Sequence, residues 1–431
     1  INNGRINAVN AAAIWSQSPG FLTIVNNGII STGPLANPNL TAVVIGGNLG
    51  AGTDFTNHGT VYGSLAFGSA TDVLRLYTGS RITGNIDGGG GTDSIFLLGS
   101  GTDTYTGSMT GFEFLTKQGS GTWILSGVNS GLTQTTVEGG MLGIEGTLVS
   151  PVAVEAGGTL AGTGTVDGNV DNRGTVAPGL PDEIGTLTVT GTYAGNGGSL
   201  VTRVGGSPDS PRADILQLSG GGAAATGSTP IFVRNAGGLG APTTGDGIPV
   251  VTAIGGASTG TNAFTLGARA IGGAYEYTLF RGGTAGGTAD NWYLRSIDPD
   301  NPSRPLFRLE TGLYPALPAL LGQYMTALVD TLDQRRANLS PNAGEPTTAG
   351  GAWGRAVGTR TEASATGRTN WDADLGYLQL GYDLYGDDTA DHRTYAGAFV
   401  AAGHGVGSAD TSERGRAGTI RASAFSVGVY A

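Results

Sequence analysis

The stretch GGGGTDSIF, from Gly88 to Phe96, has the spacing of a calcium-binding nonapeptide, G-G-x-G-x-D-x-U-x, and LGSGTDTYT, from Leu98 to Thr106, matches half of it ten residues later. Calcium rolls share each ion between successive turns and so need several tandem copies. A turn in a glycine-rich β-helix has the same sequence, and the expectation is that Asp93 and Asp103 are loop aspartates that hold no metal. There are three histidines, His58, His392 and His404; the last two fall in the strand-rich end, and His58, near Asp54, has the setting of a loop residue. No G-x-S-x-G elbow, G-D-S-G or H-E-x-x-H accompanies them, so neither a serine triad nor a zinc hydrolase is indicated. There is no cysteine, which removes disulfides, thiolate metal sites and cysteine nucleophiles. The residues therefore point to no catalytic group, no cofactor and no enzyme. Trp123 and Trp292 could stack a ligand, but their settings, WIL and WYL, are those of core-filling side chains. Arg212-Ala-Asp214 is not an Arg-Gly-Asp motif and supports no adhesion claim.

The elements that carry these residues are β-rich. Eighty glycines among 431 residues follow no triplet period, which excludes collagen, and 39% hydrophobic residues, many β-branched, are enough for a sizeable core. The net charge is -11 with a single lysine, Lys117, which argues against nucleic-acid binding. A chain that crosses a narrow pore unfolded also gains from having no disulfide to trap it. The chain opens at Ile1 with no signal peptide, and the expectation is an internal piece of a longer chain.

From Gly59 to about Ile297, short strands are punctuated by Gly-Thr or Gly-Gly. Gly-Thr pairs near Leu148, Leu160, Val176 and Leu187 are spaced by 12, 16 and 11 residues, loose for a propeller but tolerable in a solenoid. With roughly 20 to 25 residues per rung, each strand stacked about 4.8 Å from its neighbour, this is an elongated right-handed parallel β-helix. Its open end needs a cap, expected over 185–297, where RADILQLSG, AYEYTLFRG and NWYLRS bring loops and aromatics. Three prolines in Asp298 to Pro305 mark a boundary. Beyond it Leu313, Leu317, Leu320, Leu321, Tyr324, Leu328 and Leu332 recur on one face of a helix expected to reach Arg336. The uncharged part, Leu313 to Val329, is 17 residues, at the lower limit for a membrane-spanning helix, and Asp330 follows it. After a polar linker, Leu378, Leu380, Tyr382 and Leu384 alternate with Gln379, Gly381 and Asp383, the apolar-out, polar-in pattern of a membrane β-barrel. Arg355 and Asp383 are expected to face its lumen.

Three segments carry a resemblance. KQGSGTWILSGVNSGLTQTTVEGGMLGIEGTL, from Lys117 to Leu148, resembles the passenger-associated transport repeat, through Gly121, Trp123 and Leu125 at its start. Gly185 to Ser296, with Trp292, resembles a pertactin-like autochaperone region. PLFRLETGLYPALPALLGQYMTALVDTLDQRR, from Pro305 to Arg336, followed by AWGRAVG, resembles the helix and first barrel strand of the autotransporter family, the type V secretion proteins of Gram-negative bacteria. The resemblance implies a passenger over 1–184, an autochaperone cap over 185–297, a linker and pore helix over 298–351 and an incomplete antiparallel barrel over 352–431. It implies a pore helix using Leu317, Leu321, Tyr324 and Leu328, and barrel positions Trp353, Arg355, Leu378, Leu380 and Tyr382. The barrel would sit in the outer membrane and display the passenger on the cell surface, as an adhesive or structural stalk. The alternative is the stalk of a secreted enzyme or calcium-binding exoprotein whose active domain lies upstream. Implied partners are outer-membrane lipid, the barrel-assembly machinery, periplasmic chaperones and a ligand on a host or neighbouring cell. Two departures stand out. About four strands are present where the family has about twelve, and the helix ends at Arg335, Arg336, Ala337 and Asn338 without the Asn-Asn pair of self-cleaving members.

Overall fold

A computed structural model describes the chain except for residues 9–10, 17–19, 33–40, 45–51, 208–209, 285–288, 330–350, 366–368, 389–392 and 413. It divides into two compact units, Ile1–Leu306 and Phe307–Ala431.

In the first unit, short strands separated by glycine turns make three-strand rungs. Gln134–Val137, Gly140–Ile144 and Thr147–Val149 form one rung; Val152–Val154, Gly158–Gly162 and Thr165–Asp167 form the next, each strand parallel to its counterpart. Strand side chains alternate in direction, so every second residue enters the interior and lands on the equivalent residue of the next rung. Trp123, Leu142, Leu160, Val176, Leu200 and Ile231 form one such column, and all are 0–3% exposed. Polar columns must satisfy themselves. The Asn2 side-chain amide donates to Asn26 Oδ1 and that of Asn26 to Asn57 Oδ1, both at 2.8 Å, so each buried amide supports the next.

The stack begins earlier than the strand pattern from Gly59 suggests, because Arg5–Ala8 already pairs in parallel with Ile29–Thr32. The uneven Gly-Thr spacing also has a reason. Leu160 stacks directly on Val176, whereas Leu148 and Leu187 belong to a different face. The glycines stand where successive rungs come closest. A Cβ on Gly127 would lie 2.1 Å from Gly107 O, and a Cβ on Gly146 or Gly164 would lie 2.2 Å from the carbonyl of the glycine one rung earlier.

The parallel stack ends by reversing direction. Ile248–Ile254 runs parallel to Ile215–Ser219 but antiparallel to Trp292–Arg295, which continues antiparallel into Tyr275–Arg281 and Ala270–Gly272. This reversal covers the edge that a further parallel strand would use.

The described residues of the second unit form a 3-10 turn, Leu309–Gly312, that leads into an α-helix, Leu313–Leu328, packed against an antiparallel sheet of Gly351–Ala365, Thr369–Asp388, Arg393–Thr411 and Gly415–Tyr430. The expected continuation of the helix to Arg336, with Leu332, and its closing residues Arg335 to Asn338 lie outside the described residues, as does most of the linker. No helix among the described residues is long and apolar enough to cross a membrane. The helix lies close to the sheet because glycines leave room for it. A Cβ on Gly403 would come within 2.6 Å of the Tyr324 ring, and one on Gly405 within 3.0 Å of Leu320.

Gly146→Ala forces a methyl against the rung below it. It is expected to destabilise the β-helix by about 1–3 kcal/mol, as overpacking does, and urea unfolding of the full chain measures this.

Candidate functional site

The chemistry-bearing residues fall in three places: a column of acids in the early rungs, the interior around Trp292, and the face of the sheet that meets the helix. In the first, Asp93 is fully buried and Asp72 is 1% exposed. The Thr53 backbone N–H donates to Asp72 Oδ1 at 2.6 Å, that of Asp72 to Asp93 Oδ1 at 2.7 Å, and that of Asp93 to Glu113 Oε2 at 2.6 Å. Each carboxylate thus ties its own rung to the one before. Burial pushes Asp72 up, and it pushes Asp93 up to about 7, with the charges of Asp72, Glu113 and Asp87 adding to the effect. The nonapeptide aspartate thus lies, as expected, in the turn just before the strand Ser94–Leu98, but it is fully buried there and forms part of an acid ladder. Asp103, expected in a loop, instead lies in the strand Thr102–Tyr105, where it accepts from Gly79 N at 3.0 Å. Among the described residues no three His, Cys, Asp or Glu are grouped to hold a metal ion. His58 stacks on Tyr77 at 4.1 Å, and Asp54 pairs with Arg75. His404 contacts Ser423 at 3.1 Å, and His392 lies outside the described residues.

In the transport-repeat segment, Gly121 sits where a Cβ would meet Gly101 O at 2.5 Å. Trp123 is buried and donates its indole N–H to Leu98 O at 2.9 Å, and Leu125 is fully enclosed. Lys117, also fully buried, donates to the carbonyls of Gln118, Gly119 and Gly139 at 2.9, 3.2 and 3.0 Å. Desolvation lowers its pKa.

Trp292 closes the interior of the last rungs. Its indole N–H donates to Thr259 Oγ1 at 3.0 Å, its ring meets Phe264 edge-on at 5.6 Å, and Phe264 stacks on Tyr193 at 5.9 Å. The Tyr193 hydroxyl accepts from Asn172 at 2.8 Å, and burial pushes its pKa up to about 12. Arg281 bonds Asp290 at 2.6 Å and Thr259 O at 2.8 Å, fixing the residue that receives the indole. A second lock surrounds Asp214, 1% exposed, which accepts from Arg203 Nε at 2.6 Å and from Gly185 N at 3.0 Å. Arg203 also reaches Pro181 O at 2.7 Å. Neither arginine was singled out by sequence; each acts on partners placed by the rung register.

In the second unit, Leu378, Leu380 and Tyr382 lie on the sheet face away from the helix, each about half exposed at 51%, 50% and 50%. Trp371, Ala373, Leu375, Tyr377 and Gln379 line the opposite face, toward the helix, and are buried. Trp353 lies over Gly381 and donates to the Tyr430 hydroxyl at 2.8 Å. Arg355, on the helix side, bonds Gln379 at 2.7 Å and Ala327 O at 2.6 Å, and the Tyr377 hydroxyl reaches the same carbonyl at 2.6 Å. Asp383 accepts from the Tyr430 hydroxyl. The leucine stripe does not meet the sheet as one face. Tyr324 is buried and Leu328 packs partly buried, but Leu317 and Leu321 are 43% and 44% exposed. The buried arc is rotated toward Ala316 and Leu320, since a small residue brings the helix closer to the glycines of the sheet. The signal for this arrangement was in the strand YAGAFVAAGHGVG, where Gly403, Gly405 and Gly407 fall on a single face.

Comparison with known proteins bears on the first unit most directly. The family profile described as Autochaperone Domain Type 1 matches residues 157–279. The chain is similar to "Adhesin BmaC autotransporter" of Brucella suis biovar 1 (strain 1330), 33% identical over 202 residues, 40% of this chain and 6% of that protein. It is also similar to "Extracellular serine protease" of Serratia marcescens, 42% identical over 78 residues, 18% of this chain and 8% of that protein. The chain thus spans a small part of the curated relatives it matches.

Arg203→Ala leaves Asp214 buried without its ion pair and is expected to cost about 3–5 kcal/mol, read as a lowered urea midpoint. Added calcium is expected to leave thermal unfolding of the chain unchanged, as measured by circular dichroism.

Proposed function

We propose, for a chain that is a member of the autotransporter family with an autochaperone region, that the β-helical unit is a displayed stalk and the helix-bearing sheet belongs to its outer-membrane translocator. The observation that carries this reading is the pairing of a parallel stack closed by an antiparallel cap with a sheet that is apolar on one face and packed on a helix by the other. The outward row of Leu378, Leu380, Tyr382 and Leu384 suits lipid. The strands run from 15 to 20 residues, beyond the roughly 9 to 11 needed to cross a bilayer. On this reading the barrel resides in the outer membrane of a Gram-negative bacterium and the passenger on the cell surface. Outer-membrane lipid, barrel-assembly machinery and periplasmic chaperones are its partners, and the stalk serves adhesion or support without catalysis.

The residues divide accordingly. Trp292 closes the cap core, which folds first and templates the rungs before it. Nucleating a rung is the costly step, and stacking on an existing one is favourable. Gly121, Trp123 and Leu125 hold the transport repeat. Leu317, Leu321, Tyr324 and Leu328 form the pore helix, with Trp353 and Arg355 on the first strand beside it. A second reading, the stalk and translocator of a secreted enzyme, is favoured by the similarity to the extracellular serine protease.

Trp292→Ala removes the aromatic closure and is expected to reduce surface display and protease resistance of the passenger severalfold, while the barrel still shifts with heating on gels. Unchanged display would sink the templating role. A wild-type protein that extracts without detergent and shows no heat-dependent shift would sink the membrane assignment.

A further inference from the structure

The aspartate of the nonapeptide motif has no part in the function above, yet its setting is unusual. A rung column in a β-helix places like on like at one strand spacing, and for three successive rungs the residue stacked here is an acid: Asp72, Asp93 and Glu113. One oxygen of each aspartate accepts a backbone N–H from the rung before. The other oxygen, Asp72 Oδ2 and Asp93 Oδ2, is buried with no hydrogen-bond partner among the described residues. The charged groups that reach Asp93 are Asp72, Glu113 and Asp87, all acidic. A carboxylate in this place is desolvated, half-bonded and repelled by its neighbours, whereas a neutral carboxyl keeps the N–H acceptor and loses the repulsion.

We propose that the Asp72, Asp93 and Glu113 column is a proton-uptake site: assembling these rungs binds a proton that the unfolded chain has released, so this part of the rod tightens in acid. The sign follows from linkage. The folded protein holds Asp93 protonated up to about pH 7, while an unfolded aspartate is ionised above about 4. The native state therefore binds the extra proton between those values, and its stability is fully present below the unfolded value and is lost as pH rises toward 7. Between pH 5 and pH 8 the folding equilibrium of these rungs shifts by about a hundredfold.

Hydrogen exchange with mass spectrometry on the full chain tests this locally. After correction for intrinsic exchange, protection of peptides spanning Thr53 to Leu115 is expected to fall about a hundredfold from pH 5 to pH 8, with no such fall over Val166 to Val189. Asp93→Asn keeps the acceptor for the Asp72 N–H and is expected to abolish that fall, with protection at pH 8 raised above wild type. If Asp93→Asn does not fold, Asp72→Asn and the wild-type contrast between the two stretches decide. Protection that is flat in wild type, or a slope that persists in Asp93→Asn, overturns the site. Recovery at pH 8 by added calcium also overturns it, because the column would then take a metal ion instead of a proton.

Discussion

Every rung of the first unit must accept its neighbour at one strand spacing, and most of the sequence follows from that demand. Backbone pairing between rungs leaves about 4.8 Å between equivalent residues, so a side chain is judged chiefly by what it does when set on the side chain above it. Leucine and valine columns meet the demand by filling space, and the column from Trp123 to Ile231 is closed throughout. Asparagine meets it by accepting from one rung and donating to the next, as Asn26 does between Asn2 and Asn57. Glycine meets it where backbones come too close for any Cβ. Acids meet it worst, since their charges add along the column.

The same demand decides what could be read without coordinates. Period-two alternation and glycine punctuation were visible residue by residue, so the parallel β-helix, the terminal helix and the two-faced strands were legible. Register was not. Gly-Thr pairs that look like one repeat belong to two faces, and only the stacking of Leu160 on Val176 beside that of Leu148 on Val166 separates them. The setting of Asp93 was hidden for the same cause. Its motif describes a turn, but inward or outward orientation depends on the parity of the strand that follows. The locks around Asp214 and Thr259 join residues distant along the chain, such as Gly185 to Asp214 and Thr259 to Asp290, and carry no local pattern.

In the second unit the limiting factor is closeness rather than repetition. Alternation correctly separated Leu378 from Gln379, yet helix periodicity alone placed Leu317 and Leu321 with Tyr324. Hydrophobicity ranks leucine above alanine, but a sheet with glycines at Gly403 and Gly405 gains more contact from a helix turned to its smaller side. Arg355 and Tyr377 then meet the Ala327 carbonyl near the helix C-terminus, where donors offset the unpaired acceptors of the last turn.

Lys117 has a consequence of a different kind. It carries the one side-chain amine in 431 residues, and that amine is enclosed by three carbonyls. The folded rod offers no lysine to acylating reagents, to aldehydes or to enzymes that join lysine to glutamine. Its positive surface chemistry is entirely guanidinium, which favours planar bidentate contacts with carboxylates and phosphates. Covalent tagging of a lysine side chain would mark only chains whose rungs around Lys117 have not yet closed.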